Sequence, residues 1–172
     1  KLGHDYVNAF YKHIVDSEYS FGFVYLIEDK VVGYATGFYD YKLFNDSLKK
    51  KEFFFLIFTL IKRMVIGKIG VFDLINLLQD DNKLKKSKYP KIHLGALALV
   101  NEYKGHHSGK RIIFDTISAV LYELTGKGYP GCWGLCDLNN MSMRKLLVKL
   151  GFEEVNIVKM IHKSVVLYEK TF

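Results

Sequence analysis

The sequence predicts one domain of mixed α/β structure, with a largely antiparallel sheet and a central β-α-β unit. Three observations support this class. Two β-like runs lie next to each other near the N terminus, a strand–helix–strand succession follows, and two further β-like runs end the chain. The 172 residues, 49% apolar and 25% charged, suit a single globular domain over residues 1–172 and exclude a disordered or collagen-like chain.

The first part of the chain predicts a helix and a hairpin. From His4 to Val15, apolar residues recur every three or four positions, as on one face of a helix. Phe21–Ile27 and Val31–Tyr39 are β-like runs. The segment between them, Glu28–Lys30, has a length that suits a tight hairpin.

A basic insert of two helices is expected at about residues 47–88, with Ser47 as the candidate N-cap. Residues 42–91 contain 12 Lys/Arg and 5 Asp/Glu, whereas the rest of the chain contains 13 of each, so the net charge of +7 belongs to this segment. Its apolar run Phe53–Ile61 is far shorter than the ~20 residues of a membrane span. A helix buried on two sides or at a dimer contact, a lid over a substrate pocket, and a helix on anionic lipid all stay open.

The second half predicts a strand, a helix, a strand, a short helix and a hairpin. Glycines follow both expected helices, and Asn140 or Ser142 can cap the second one. The predicted elements are the strand Ile92–Val100, the helix Gly109–Leu124, the strand Gly131–Asp137, a short helix closed by Gly151, and a terminal hairpin.

The loop after Ile92–Val100 has the composition of an anion site. Gly105 and Gly109 bracket a short basic stretch at the start of a helix, where backbone N–H groups and the helix dipole favour negative charge. Lys104 and Lys110 add positive charge. These features predict a phosphate-binding loop, with an ordinary strand–helix turn as the alternative.

This stretch resembles motif A of the GNAT superfamily of N-acetyltransferases. Leu97-Ala98-Leu99, Glu102-Tyr103-Lys104-Gly105 and Gly109 carry the resemblance, with Lys104 at the basic position of the family's pyrophosphate loop. His107 stands where the family usually has its first glycine. The expected element order also matches, except for a first strand that we expect upstream of Lys1.

A second resemblance, to motif B of the same family, lies downstream at the matching distance. Asn140, Leu147 and Leu150-Gly151-Phe152 carry it. Leu147 stands where the family often has a tyrosine that protonates the leaving thiolate.

The resemblance implies an N-acetyltransferase that uses acetyl-CoA and transfers the acetyl group to an amine by direct attack. We expect no metal, because Cys132 and Cys136 lack a convincing third and fourth ligand. It also implies that the strand ending in Leu99 and the strand Gly131–Asp137 splay apart around pantetheine, and a β-bulge near Gly95 would supply the splay. The implied cofactor-binding residues are Leu97, Ala98, Leu99, Lys104, Gly105, His106, His107, Ser108, Gly109, Lys110 and Asn140.

His93 is the candidate general base for the proton transfers, because an unperturbed histidine titrates near neutral pH. An ordinary half-buried strand histidine is the alternative. Tyr168, on the last strand, and Cys136 are weaker catalytic candidates. A non-catalytic acyl-CoA-binding or regulatory domain and a basic membrane-surface module stay open as alternatives.

The composition limits partners and location. Two cysteines cannot form a disulfide framework, so we expect a reduced, cytoplasmic protein. No nucleic-acid-binding signature accompanies the basic insert, and we expect no nucleic-acid partner. The acceptor amine is not identified, although the basic insert disfavours a polycationic one.

Overall fold

A computed structural model describes residues 4–51, 87–160 and 163–172. A six-stranded sheet forms its centre, in the order β1-β2-β3-β4-β6-β5, and only β3 and β4 are parallel. The strands are β1 (Ser20–Ile27), β2 (Lys30–Phe38), β3 (His93–Leu99), β4 (Gly131–Asp137), β5 (Glu153–Lys159) and β6 (Ser164–Thr171). The helices are α1 (His4–Asp16), α2 (described over residues 41–51), α3 (His107–Gly126) and α4 (Met141–Lys149). The predicted fold class is confirmed.

Helices cover both faces of the sheet. On one face, the apolar side of α3 and Leu147 of α4 pack with Ala35 and Leu94. On the other, Ile14 of α1 and Phe44 of α2 pack around Phe38. Successive strand residues point to opposite faces, so Ala35 and Phe38 of the same strand serve different layers.

The N-terminal hairpin has a two-residue turn. Glu28 and Asp29 both adopt positive φ, of 48° and 60°, which is the geometry that fits the right-handed twist of paired strands. The terminal hairpin is also present, because β5 pairs antiparallel with β6.

The expected N-cap at Ser47 is wrong. Helix α2 begins seven residues earlier than a Ser47 cap would give, and the Asp40 carboxylate accepts a hydrogen bond of 3.0 Å from the Leu43 N–H. Ser47 lies inside the helix; its hydroxyl donates to the Phe44 carbonyl and bonds the Nε2 atom of buried His13. Most of the predicted insert, including the run Phe53–Ile61, lies outside the described residues.

Within the described part of the chain, no helix has the length and apolar character needed to cross a membrane.

Candidate active site: a cleft where two strands part

Strands β3 and β4 run side by side only where they begin. Their register joins His93 to Trp133 and Leu94 to Gly134, and the Trp133 N–H donates to the Ile92 carbonyl at 3.0 Å. Beyond Leu94, β3 stays paired with β2, while β4 stays paired with β6. The two strands therefore part in the middle of the sheet, as the resemblance to the GNAT superfamily implies.

A bulge in β3 lies where the gap begins. Ala35 pairs with Leu97 and Gly37 with Leu94, so β3 has one residue more than β2 over this interval. The Thr36 hydroxyl compensates for the lost ladder bonds, since it accepts from the Ala96 N–H at 2.8 Å and donates to the Ala96 carbonyl at 3.3 Å. The predicted bulge near Gly95 is confirmed.

Glycine is required at position 95 of the bulge because there is no room for a side chain. A Cβ there would lie 2.5 Å from both a Phe38 ring carbon and the Thr36 hydroxyl oxygen. A larger residue would displace the side chain that satisfies the bulge.

The parted end of β3 presents main-chain groups to the gap. The Val100 N–H donates to the Val32 carbonyl of β2 at 2.9 Å. Because bonding direction alternates along an antiparallel strand, Ala98 also bonds toward β2, and the N–H and C=O groups of Leu97 and Leu99 point the other way. The side chains of Leu97 and Leu99 pack against the core.

The gap opens into a cleft of about 930 Å³ between α3 and α4. Ten of the eleven residues with implied cofactor contacts line it, and Ser108 is the exception. The further lining residues are Tyr103, Arg111, Ile113, Phe114, Ser142, Met143, Lys145, Leu146 and Lys149.

The loop at the cleft mouth ends in free helix amides. The N–H groups of His107, Ser108 and Gly109, in the first turn of α3, have no hydrogen-bond acceptor among the described residues. His106, the N-cap residue, offers no side-chain cap. Such amides, at the positive end of a helix dipole, favour a bound anion.

The two loop positions require glycine for different reasons. Gly105 has φ of +82°, which favours glycine, and a Cβ there would meet nothing. At Gly109 a Cβ would lie 2.0 Å from the Tyr103 carbonyl oxygen. Glycine is therefore required at position 109 by the packing of α3 on the preceding turn.

The cleft is positively charged. Five cationic side chains line it, and no Asp or Glu is among the described residues that do so. Lys104, Lys110 and Arg111 come from the loop and α3, and Lys145 and Lys149 from α4. Asn140 lies at the mouth, where its side chain caps α4 by accepting from the Met143 N–H at 3.1 Å.

His93 is not among the residues that line the cleft. Its ring stacks on Trp133 with centroids 3.9 Å apart and on Phe38 at 5.5 Å, and Tyr41 approaches its edge. Burial lowers the pKa of His93 to about 3. Its Nδ1 atom and the Trp133 Nε1 atom have no hydrogen-bond partner in the described part of the protein.

Tyr168 is fully buried, and it is also absent from the cleft lining. Its hydroxyl donates to the Glu154 carboxylate at 2.5 Å and accepts from Arg144 Nε at 3.1 Å. Burial and the bond to Glu154 raise the pKa of Tyr168. Arg144 also bonds the Leu138 carbonyl at 3.2 Å, so this cluster fixes α4 to the strands beside it.

Leu147 and Cys136 are also buried. Leu147, at the position of the family's tyrosine, is 3% exposed. Cys136 is a free thiol whose pKa is raised by burial. No group of three or more His, Cys, Asp or Glu that could hold a metal occurs among residues 4–51, 87–160 and 163–172.

The α4 wall of the cleft was not predicted from the sequence. Lys145 and Lys149 lie four residues apart, and helix α4 follows a strand that is parallel to β3. That arrangement starts α3 and α4 at the same end of the sheet and is the signal that could have identified them.

Several solved structures with a similar fold are acetyltransferases. An N-acetyltransferase from Staphylococcus aureus aligns over 97% of this chain and 76% of its own, with a TM-score of 0.57 and 15% identity. An acetyltransferase from Bacillus anthracis, solved in complex with acetyl coenzyme A, aligns over 94% and 68%, with a TM-score of 0.55 and 11% identity. A protein from Desulfovibrio desulfuricans assigned to the GNAT family aligns over 97% and 79%, with a TM-score of 0.55 and 8% identity.

No protein-family model and no curated protein sequence matches the chain. The likeness to these structures shows the fold: the chain has the GNAT fold that these acetyltransferases share.

Proposed function

We propose that this protein is an N-acyltransferase that transfers an acetyl group from acetyl-CoA to an amine. The parting of β3 and β4 carries the proposal, because it opens a cleft that joins main-chain hydrogen-bonding groups to a positively charged helix N terminus. Main-chain groups of Leu97 and Leu99 would bond the pantetheine amides. The α3 amides with Lys104 and Lys110 would bind the diphosphate.

The reaction is a direct displacement. The amine nitrogen attacks the thioester carbonyl carbon, the C–N bond forms, the C–S bond breaks, and the CoA thiolate leaves. The amine loses one proton and the thiolate gains one. A β3 N–H aimed at the gap would stabilise the developing oxyanion, and holding both reactants in the cleft supplies much of the acceleration.

The proton-transfer roles of His93 and Tyr168 stay proposals. A histidine with a pKa near 3 stays neutral at physiological pH, as a general base must, but it is a weak base. If His93 is the base, the acidic limb of the kcat/KM profile lies well below neutral pH, and His93→Gln removes it. For Tyr168, the matching test is Tyr168→Phe, which should remove the basic limb if the phenol protonates the thiolate.

The function is tested by calorimetry with CoA and by thiol release from acetyl-CoA with a panel of amines. Micromolar CoA binding with amine-dependent release of CoA is the expected result. Binding without turnover on any amine would favour the non-catalytic acyl-CoA-binding alternative, in keeping with Leu147 at the tyrosine position. Absence of CoA binding would refute both. A cytoplasmic location stays a prediction.

A further inference from the structure

The α4 wall of the cleft carries two lysines that do not belong to the loop at the α3 N terminus. Lys145 and Lys149 lie four residues apart, on one side of α4, and both line the cleft. Both are exposed, and neither has a carboxylate partner in the described part of the chain.

These lysines lie away from the loop along the groove between the two helices. Helices α3 and α4 each follow one strand of the parallel pair, so they begin at the same end of the sheet. At 1.5 Å per residue, Lys145 and Lys149 lie about 6 and 12 Å beyond the first residue of α4. The opposite wall at this depth carries Phe114, about 10 Å into α3, which lines the cleft and is 37% exposed.

The groove therefore has two cationic regions, one at the loop before α3 and one on α4. The aromatic ring of Phe114 lies on the wall opposite the second region. CoA has two separate anionic groups, a diphosphate and a 3′-phosphomonoester, and an adenine next to the second. The phosphomonoester carries nearly two negative charges at neutral pH, for which a pair of ammonium groups is a suitable partner.

We propose that Lys145 and Lys149 bind the 3′-phosphate of CoA, with the adenine against Phe114. This inference rests on the proposed function and deepens it: the protein should discriminate CoA from dephospho-CoA, which lacks only that phosphate. The loop at the α3 N terminus would bind the diphosphate, which both molecules contain.

The test measures dissociation constants for CoA and dephospho-CoA by calorimetry. The native protein should bind CoA about tenfold more tightly, the preference that one or two charge-assisted hydrogen bonds provide. In the Lys145→Gln/Lys149→Gln double variant this ratio should fall towards one. The matched control is Lys12→Gln/Lys30→Gln, which removes the same charge from exposed positions on α1 and β2 and should keep the ratio.

Lys104→Ala makes the second comparison. It should weaken both ligands by the same factor, because both contain the diphosphate. Phe114→Ser should likewise weaken both ligands, while leaving their ratio unchanged.

Two results would overturn the inference and spare the proposed function: a native protein that binds both ligands equally, or a double variant that keeps the native ratio. Failure of the native protein to bind either ligand would overturn both proposals. If the double variant does not fold, as judged by its circular dichroism, the single variant Lys149→Gln replaces it, with a partial fall in the ratio expected and an unchanged ratio counting against the inference.

Discussion

The two ends of β3 meet opposite surroundings, although the strand is only seven residues long. At its start, His93 and Leu94 pair with β4, and the His93 ring stacks on Trp133. At its end, the main-chain N–H and C=O groups of Leu97 and Leu99 point into an open gap. The closed end depends on the shapes of particular side chains, whereas the open end depends on where the backbone goes.

This difference explains why the fold resembles that of known structures although the sequence identity to them is low. A site built from main-chain groups tolerates many side chains, provided that the strand bends and parts at the same place. Alignment at 8–15% identity with acetyltransferases is consistent with such a site. The four predictions below test whether the two ends of β3 separate stability from binding.

Trp133→Ala should give the largest effect, at the closed end. Trp133 is 1% exposed, and replacing a buried tryptophan by alanine typically costs about 3–5 kcal/mol in the free energy of unfolding. Urea unfolding without CoA measures this. A loss below about 1 kcal/mol would contradict the view that the closed end depends on side-chain packing.

Gly109→Ala should damage the open end through its backbone. A Cβ 2.0 Å from the Tyr103 carbonyl forces α3 away from the preceding turn, at about 1–3 kcal/mol of stability and with at least about tenfold weaker CoA binding.

Gly126→Ala, at the last residue of the same helix, is the matched control for Gly109→Ala. A Cβ there meets nothing, and φ is not positive. We expect unchanged CoA binding and equal or slightly higher stability by the same measurements. Equal effects of the two changes would refute the packing argument.

His93 should make the closed end sensitive to acid. Its folded-state pKa is about 3, below the ordinary 6.5, so between these values the unfolded chain binds more protons. Stability should therefore fall as pH drops below 6.5, by at most about 1.4 kcal/mol per pH unit from this group. Unfolding of the protein and of His93→Phe from pH 4 to 7 measures the difference. Parallel curves would show that burial of His93 does not cause the dependence.

Lys104→Ala should give the smallest effect, at the open end. The side chain is exposed, so we expect about two- to fivefold weaker CoA binding at low salt, and less at high salt. Calorimetry at two salt concentrations measures both, and the unfolding midpoint should not change. An effect that grows with salt would exclude a screened charge interaction.

Much of the fold could be predicted from the sequence because its signals are local. The bounds of β4, Gly131–Asp137, are as expected, and those of α1 differ by one residue. Gly95 indicated the bulge because a glycine inside a strand often marks one. Asn140 caps α4 as expected.

Other features depend on residues far apart in the chain. Both Asp40 and Ser47 can cap a helix, and only the hydrogen bond to the Leu43 N–H distinguishes them. The burial of His93 results from Phe38 and Trp133, which lie far from it in sequence. No local sequence pattern could show that the ring of His93 stacks on two aromatic rings from other strands.

The Thr36 hydroxyl has a consequence for how a ligand would enter. Because it bonds both polar groups of Ala96, β3 stays hydrogen-bonded to β2 across the bulge, while its other edge is already open towards β4. A cofactor need not unzip the sheet on arrival. Association should then proceed in one kinetic phase, at a rate that increases linearly with cofactor concentration.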